Sequence, residues 1–230
     1  PRMLLDPLAT LPRVPGSGGI EPDLFPSEPG PFDWLPGDRQ LLFTTRYLTI
    51  NGLPGNYDLW RLDVETGQLD ELLPAGEAGR PVVSPDGEWV LLSTPTEILF
   101  ARVDGSERQT LFSFERVPTY SEWEWVPQPV WNDDGSAHVA VARPWNASAP
   151  VTYELWRLDP ASGDTLWLGL VDASWLHTPL WSPDRSRLVY AAPEGLVLAG
   201  TGGEDPRLVA PGADAVPVAW SPEGTRVAFV

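Results

Sequence analysis

A short motif recurs five times along this chain of 230 residues. Each copy has a tryptophan or another apolar anchor, then a turn rich in Pro, Asp and Gly, then a short run of β-prone residues. The anchors are Trp34, Val83, Trp131, Trp181 and Trp220, so successive copies begin 49, 48, 50 and 39 residues apart. A period of about 20–50 residues indicates a solenoid, a propeller or another array, because one unit cannot bury its own apolar face and must stack on its neighbours.

Each unit also has a recognisable second half. It is clearest in residues 57–73 and 153–169, where two β-rich runs flank a tight turn at Thr66-Gly67 or Ser162-Gly163. Such a pair of runs predicts a hairpin. The whole unit is therefore an antiparallel meander of four strands, A to D in chain order. A four-stranded antiparallel sheet repeated at this period predicts an all-β fold built of propeller blades.

Two copies of the anchor motif resemble a known repeat. The strings WSPDR at residues 181–185 and WSPEG at residues 220–224 are similar to the lead-in of the TolB-type, WD40-like propeller repeat. The resemblance covers most of the chain from Trp34 onward, although the copy at Trp34 inverts the Asp/Gly order and the copy at Trp131 lacks the proline. It implies a β-propeller and an extracytoplasmic bacterial setting: periplasmic, cell-surface or secreted. It implies no particular activity, because propellers carry many unrelated functions.

The repeats predict a single propeller domain over residues 1–230, with five blades. We expect blades at residues 32–73, 80–112, 129–170 and 179–210, a half blade at 216–230, and a Pro/Gly-rich linker at 15–31. Residues 2–7 (RMLLDP) echo residues 156–160 (WRLDP). Residues 1–14 are therefore expected to supply the closing strands C and D of the half blade. Two alternatives stay open: a longer propeller of which this chain is one part, and donation of these strands to a neighbouring copy.

Charge narrows the range of partners. The chain has 32 acidic residues against 15 basic ones, every basic one is an arginine, and the net charge is −17. This charge repels phosphate backbones and anionic membrane surfaces, so nucleic acid is not expected as a partner. No apolar run approaches the length of about 18 residues that a membrane span needs. The chain has no cysteine, which excludes disulfides, thiol catalysis and thiolate metal sites.

Motifs for catalysis are scarce. The sequence has no GxSxG, no HExxH and no GxxxxGK[ST], and its only histidines are His138 and His177. His138 lies in a strand-like run and is interpreted as an ordinary strand residue. The acids that recur in the anchor motif occupy one turn position, as expected of residues that serve the fold: Asp86, Asp134, Asp184 and Glu223. We therefore expect no enzymatic activity of this chain, no catalytic residue, no metal and no cofactor.

Strand direction divides the molecule into two faces. In a meander, the A–B and C–D turns lie at one end of the blade, here called the turn face. The B–C and D–A connections lie at the other end, here called the loop face, and they include the long segments 15–31, 47–56, 113–128, 143–152 and 171–178. The loop face carries aromatic residues that the repeat does not require. The predicted binding residues on it are Tyr120, Trp123, Trp125, Trp145, Trp175 and His177.

Exposed aromatic residues on loops over a rigid scaffold are typical of a recognition surface. The alternative is that these side chains plug the channel or cover blade edges. The other tryptophans at strand or anchor positions are expected to pack between blades: Trp60, Trp89, Trp156, Trp167, Trp181 and Trp220.

Three function classes follow from this pattern. The first is a non-catalytic binding or scaffold propeller that presents the loop face to a protein or peptide partner. The second is a carbohydrate-binding or carbohydrate-active propeller, in which loop tryptophans stack on sugar rings and Glu122, Glu124 or Asp172 supplies a carboxyl group. The third is a structural subunit of a self-assembly, whose partner is another copy of the chain.

Overall fold

The computed structural model describes residues 32–44, 57–117, 125–144, 150–174, 177–212 and 215–230. The described elements are all β-strands, which form five antiparallel sheets, here called blades 1 to 5. We find no helix among the described residues that could span a membrane. The predicted all-β architecture of four-stranded antiparallel sheets is confirmed.

Each of the first four blades pairs its strands in chain order, as a meander does. Blade 1 comprises β1 (Phe32–Trp34), β2 (Gln40–Phe43), β3 (Leu59–Asp63) and β4 (Leu69–Leu73). Blade 2 comprises β5 (Arg80–Val83), β6 (Trp89–Ser93), β7 (Glu97–Arg102) and β8 (Gln109–Ser113). Blade 3 comprises β9 (Val130–Trp131), β10 (Ala137–Ala142), β11 (Val151–Asp159) and β12 (Asp164–Ala173). Blade 4 comprises β13 (Leu180–Trp181), β14 (Arg187–Ala192), β15 (Gly195–Gly200) and β16 (Arg207–Pro211).

Blade 5 has two described strands, β17 (Pro217–Trp220) and β18 (Val227–Phe229), which pair antiparallel. They correspond to strands A and B of the repeat. Residues 1–31 lie outside the described residues, so their assignment as closing strands and linker stays a prediction. The number of blades in a closed ring stays a prediction for the same reason.

The repeated Ser-Pro-Asp turn explains why strands A and B are joined so tightly. In blade 2, the Asp86 carboxylate accepts the hydroxyl of Ser84 at 2.5 Å and the backbone N–H of Glu88 at 3.0 Å. The Ser84 hydroxyl in turn accepts the backbone N–H of Trp89, the first residue of β6, at 3.0 Å. Blade 4 repeats the bond between turn acid and serine, with Asp184 accepting the hydroxyl of Ser182 at 2.5 Å. These bonds support the interpretation that Asp86 and Asp184 serve the fold.

The core lies between blades, where apolar residues of neighbouring sheets meet. One buried cluster joins Leu91 and Phe100 of blade 2 to Leu155 of blade 3 and Leu188 of blade 4. Burying such side chains stabilises the fold by about 1.5–3 kcal/mol each. The blades therefore stack on one another as the repeat requires.

The strand and anchor tryptophans divide into two groups. Trp60 and Trp181 are buried, and Trp89, Trp156 and Trp220 are half-buried, as expected of residues that pack between blades. The prediction for Trp167 is wrong, since its side chain is 52% exposed. Trp167 lies opposite Trp156 in the pairing of β12 with β11. Its side chain is exposed because β12 has ten residues, whereas β8, the outer strand of the preceding blade that would cover it, has five. Beside it, Leu166 is also exposed.

Polar bridges join each blade to the next. The groups that form these bridges differ from junction to junction. The bridges, in chain order, run from the backbone N–H of Val83 to Asp33 Oδ2 (2.7 Å), from the Trp131 indole to the Val82 carbonyl (2.9 Å), from the Arg185 guanidinium to the Trp131 carbonyl (2.8 Å) and from the Trp220 indole to the Leu180 carbonyl (3.0 Å).

Candidate binding site

Two of the six predicted binding residues fall within the described part of the chain. His177 is exposed on the loop face, where a partner could reach it. Trp125 is only 8% exposed, so its predicted place on an open surface is wrong. Its ring packs edge-on against Tyr153 with centroids 6.1 Å apart, because the D–A connection turns into the core at this residue and continues as buried Val126 and Pro127. The other four predictions, Tyr120, Trp123, Trp145 and Trp175, lie outside the described residues.

A cleft of about 690 Å³ opens on the opposite side, at the turn face between blades 2 and 3. Its aromatic floor is formed by Trp89, Phe100 and Trp131, and Pro160 and Ala161 of the C–D turn of blade 3 close one end. Four carboxylates line the cleft, and they form what is here called its rim: Asp86, Glu107, Asp133 and Asp134.

The cleft exists because the A–B turns pack differently at this junction. Between blades 1 and 2, the turn glycine Gly87 lies so close to the ring of Pro36 that a Cβ atom would come within 2.5 Å of it. Between blades 2 and 3, the equivalent Gly135 has nothing within 4 Å of the Cβ position, and Pro85, the counterpart of Pro36, lines the cleft. The contact that closes the first junction is therefore replaced by open space at the second.

The outer part of the junction is open as well. In blade 4, the C–D turn presses onto blade 3, because a Cβ atom on Gly203 would lie 2.8 Å from the carbonyl oxygen of Leu170. In blade 3, the C–D turn has no such neighbour, since Gly163 has nothing within 4 Å of its Cβ position. The two long strands of blade 3 carry this turn out into solvent beyond blade 2.

The aromatic floor consists of one stacked pair of rings and a third ring tilted against it. Trp89 and Phe100 stack with ring centroids 4.5 Å apart and planes 18° apart, and Trp131 lies 6.5 Å from Phe100. The guanidinium of Arg102 sits 4.3 Å from the centroid of the Trp89 ring. Arg102 also contacts Glu107 of the rim at 3.2 Å. The floor thus already accepts a guanidinium against an aromatic face, which is the geometry of a cation–π interaction.

The rim is negatively charged at neutral pH. Two hydrogen bonds from Ser136 and a 2.7 Å contact with Arg157 lower the pKa of Asp134 to about 2. The hydroxyl of Ser84 and the backbone N–H of Glu88 lower the pKa of Asp86. Hydrogen bonds that stabilise the charged form keep a carboxyl group ionised. The remaining two carboxylates, Glu107 and Asp133, are exposed.

A buried histidine supports the wall of the cleft. His138 on β10 is 7% exposed, its Nδ1 lies 2.9 Å from Asn132 Oδ1, and its ring lies 5.3 Å from that of Trp181. Because Asn132 Oδ1 only accepts, Nδ1 carries the hydrogen. Burial lowers the pKa of His138 to about 4, so the ring is neutral at pH 7. The interpretation of His138 as a structural strand residue agrees with this environment.

The described residues give limited material for a metal or an acid–base pair. They include no group of three or more His, Cys, Asp or Glu side chains that could hold a metal ion. On the loop face, the carboxylate of Asp172 accepts the hydroxyl of Thr152 at 2.6 Å. The other two acids considered for sugar chemistry, Glu122 and Glu124, lie outside the described residues.

Solved structures share this arrangement of sheets, whereas no family model and no curated protein matches the chain. An oligogalacturonate lyase from Vibrio parahaemolyticus matches 90% of the chain with a TM-score of 0.62 and 17% identity. TolB from Acinetobacter baumannii matches 78% with a TM-score of 0.50 and 20% identity. The nidogen/laminin complex matches 87% with a TM-score of 0.55 and 13% identity. The chain is a β-propeller.

The predicted likeness to TolB-type propellers is confirmed for the fold. This propeller spans 61% of the length of the lyase chain, 42% of the TolB chain and 71% of the nidogen/laminin chain. The similar structures include an enzyme and a protein of a complex, and one fold can serve catalysis or binding. What this propeller does must therefore be argued from its own surfaces.

Proposed function

We propose that this propeller is a non-catalytic scaffold that binds a protein or peptide partner. The observation that carries the proposal is the cleft between blades 2 and 3, with its aromatic floor and its polar rim. Aromatic side chains surrounded by polar groups are the usual composition of the centre of a protein interface. The volume also lies in the range of about 300–1,000 Å³ in which proteins hold ligands.

The roles of the titratable groups support binding over catalysis. Serine hydroxyls hold three turn acids in place: the serine two residues earlier bonds Asp86 and Asp184, and the serine two residues later bonds Asp134. His138 is buried, neutral and bonded to Asn132. A general base needs a pKa near the working pH and access to a substrate proton. These four groups are instead fixed in the fold.

The loop face is the second part of the proposal. We expect Tyr120, Trp123, Trp145, Trp175 and His177 to extend the binding surface of the scaffold at that end. An extracytoplasmic, bacterial setting is also part of the proposal, and it is supported by the resemblance of the turn strings to TolB-type repeats.

A carbohydrate-active function is the main alternative, and the likeness to the fold of an oligogalacturonate lyase is its motivation. Galacturonate chains are polyanions. A propeller with a net charge of −17 would repel them, which weighs against that substrate class. Self-assembly is the other alternative, and native mass spectrometry at several protein concentrations tests it directly.

The proposal is tested by offering the full chain both kinds of ligand and watching for turnover. A peptide array and a glycan array report binding, and mass spectrometry of the bound ligands reports cleavage. We expect peptides to be retained intact. Cleavage of a glycan or a peptide that disappears in a single-acid variant such as Glu124→Gln would overturn the proposal.

A further inference from the structure

We propose that the cleft between blades 2 and 3 binds an arginine-bearing, extended segment of a partner protein. This inference rests on the proposed binding function, and it adds the place and the chemistry of the ligand. The turn face was not expected to carry a binding site, so the assignment depends on the described geometry alone.

Charge complementarity selects a cationic ligand. The residues that line the cleft include four carboxylates and no basic side chain. The arginines closest to the rim are already engaged: Arg102 contacts Glu107 at 3.2 Å, Arg157 contacts Asp134 at 2.7 Å, and Arg185 donates to the Trp131 carbonyl at 2.8 Å. Two of the four rim carboxylates therefore have an arginine partner, and a basic partner would neutralise the negative charge that is left on the rim.

The floor selects arginine among the basic side chains. The planar guanidinium of arginine stacks on aromatic rings and binds carboxylates through two parallel N–H groups, whereas the ammonium of lysine does neither. The Trp89 ring already has Phe100 stacked on it and the guanidinium of Arg102 over it, so an incoming guanidinium would take the place of Arg102 on Trp89.

The existing ion pairs leave the rim available. The side chain of Arg102 is 39% exposed and that of Glu107 is 62% exposed. Ion pairs between exposed side chains contribute little to stability, because water and salt screen them. An incoming guanidinium can therefore replace Arg102 as the partner of Glu107 at little cost.

A second apolar group beside the cleft favours a protein ligand over a free amino acid or a small cation. Trp167 is exposed and pairs with Trp156, whose ring lies 5.0 Å from Phe112 of blade 2. Directly paired residues of neighbouring strands lie on the same face of the sheet. Trp167 thus faces the same junction as the cleft, where an extended segment could contact both.

Binding of a short capped peptide with two arginines tests the proposal, with matched peptides that carry lysine, glutamine or glutamate at the same two positions. Titration calorimetry at low salt and at 0.5 M NaCl measures the affinity. We expect the arginine peptide to bind more tightly than the lysine peptide, and the glutamine and glutamate peptides to bind at least about tenfold more weakly. High salt should lower the affinity for the arginine peptide, because it screens the charges.

Two variants assign the binding to the cleft. The double variant Asp133→Asn with Glu107→Gln removes two exposed rim charges. We expect it to bind the arginine peptide about tenfold more weakly than the native chain does. Glu223→Gln is the control, since it neutralises the turn acid of blade 5 that corresponds to Asp134, away from the cleft. If the double variant folds poorly, Asp133→Asn alone is compared with the same control. The indole N–H signals of Trp89 and Trp131, assigned by NMR from Trp→Phe variants, should shift on binding.

The outcomes separate this inference from the proposed function. If the arginine peptide fails to bind at millimolar concentration, or binds equally well to the double variant, the cleft is not its site. Peptide binding that leaves the Trp89 signal unshifted would also show that the cleft is not the binding site, while the proposed scaffold function would stand. Preference for a neutral or acidic glycan would contradict the inference on the class of ligand. Cleavage of a bound ligand would contradict the function itself.

Discussion

The indole N–H of Trp131 donates a 2.9 Å hydrogen bond to the carbonyl of Val82, across the junction between blades 3 and 2. The indole of Trp220 makes the equivalent 3.0 Å bond to the carbonyl of Leu180, across the junction between blades 5 and 4. In both cases the acceptor immediately precedes the anchor of the previous blade. At these two junctions the anchor tryptophan therefore joins the blades through a directed bond as well as through its apolar area, whereas the indole of Trp181 donates to the Thr201 carbonyl of its own blade.

The first prediction concerns this bond. The variant Trp131→Phe keeps a ring in the junction but leaves the partly buried Val82 carbonyl without its donor, which should cost about 1 kcal/mol of unfolding free energy. Urea titration of the full chain measures the loss. Trp167→Phe is the control, because its exposed ring should change stability by less than about 0.5 kcal/mol. Equal losses in the two variants would show that the indole bond does not stabilise the junction.

The second prediction compares two glycines that share a turn position. Gly87 and Gly135 have similar backbones, with φ of +73° and +81°, but only Gly87 faces a neighbouring ring, that of Pro36. The left-handed backbone costs any alanine about 1–2 kcal/mol. Gly87→Ala should cost about 1–3 kcal/mol more than Gly135→Ala, because its methyl group overpacks the junction. The two urea midpoints decide this, and a larger loss for Gly135→Ala would mean that the blade 2–3 junction is closed.

The third prediction concerns pH. The pKa of His138 is lowered from 6.5 to about 4 by burial, so the unfolded chain binds more protons than the folded one between these values. Stability should therefore be fully present above pH 6.5 and should fall by about 3 kcal/mol as the pH falls to 4. The pKa of Asp134 is lowered to about 2, so its contribution is lost below the ordinary value of 3.8.

These two pH windows can be told apart with one variant. His138→Gln cannot take up a proton, so the difference in unfolding free energy between the native chain and this variant should shrink as the pH falls from 6.5 to 4.5. The rest of the acid transition, which comes from carboxylates such as Asp134, should persist in the variant. A difference that stays constant over this window would contradict the buried, neutral state of His138.

The fold could be predicted from the sequence because the information that specifies it is local. The Ser84-Pro85-Asp86 turn forms its hydrogen bonds within five residues, and the hairpins close at turns such as Ser162-Gly163. The repeat period then determines how many strands each sheet contains. None of these inferences needs a distance between residues of different blades.

The cleft could not be predicted because it depends on such distances. Gly87 and Gly135 occupy the same position of the repeat. Gly87 lies against Pro36 of the preceding blade, whereas Gly135 faces open space. The exposure of Trp167 depends on β12 being longer than β8, the outer strand of the preceding sheet. Trp125 was misplaced because a connection of irregular sequence gives no sign of where it re-enters the core. Strand lengths are the signal that could have indicated the open junction.

The fourth prediction tests the loop-face residues. Trp123→Ala and Trp145→Ala should each change the melting temperature little, because exposed loop side chains bury little area. Trp181→Ala should cost about 3–5 kcal/mol, because Trp181 is buried between blades. Calorimetric melting of the three variants measures both effects. Should Trp123→Ala destabilise the fold as much as Trp181→Ala, the loop aromatics are core plugs and the recognition surface is wrong.

The fifth prediction concerns the edge of blade 5. Within the described residues, β18 pairs only with β17, and Phe229 at its edge is 51% exposed. An open apolar edge strand invites pairing with another strand. We expect residues 2–14 to supply strands C and D to this edge. Hydrogen exchange should then show protected amides in residues 227–229 of the full chain, and deletion of residues 1–14 should remove that protection.

The same deletion separates the ways in which the edge could be covered. If each chain uses its own strands, the shortened chain should lose cooperative unfolding, because blades 1 and 5 would no longer be held in one ring. If the strands are donated to a neighbouring copy, the shortened chain should stay folded and lose only its assembly in native mass spectrometry. Protection of residues 227–229 that survives the deletion in a monomer would mean that a segment other than residues 2–14 pairs with β18, and the composite blade would be wrong.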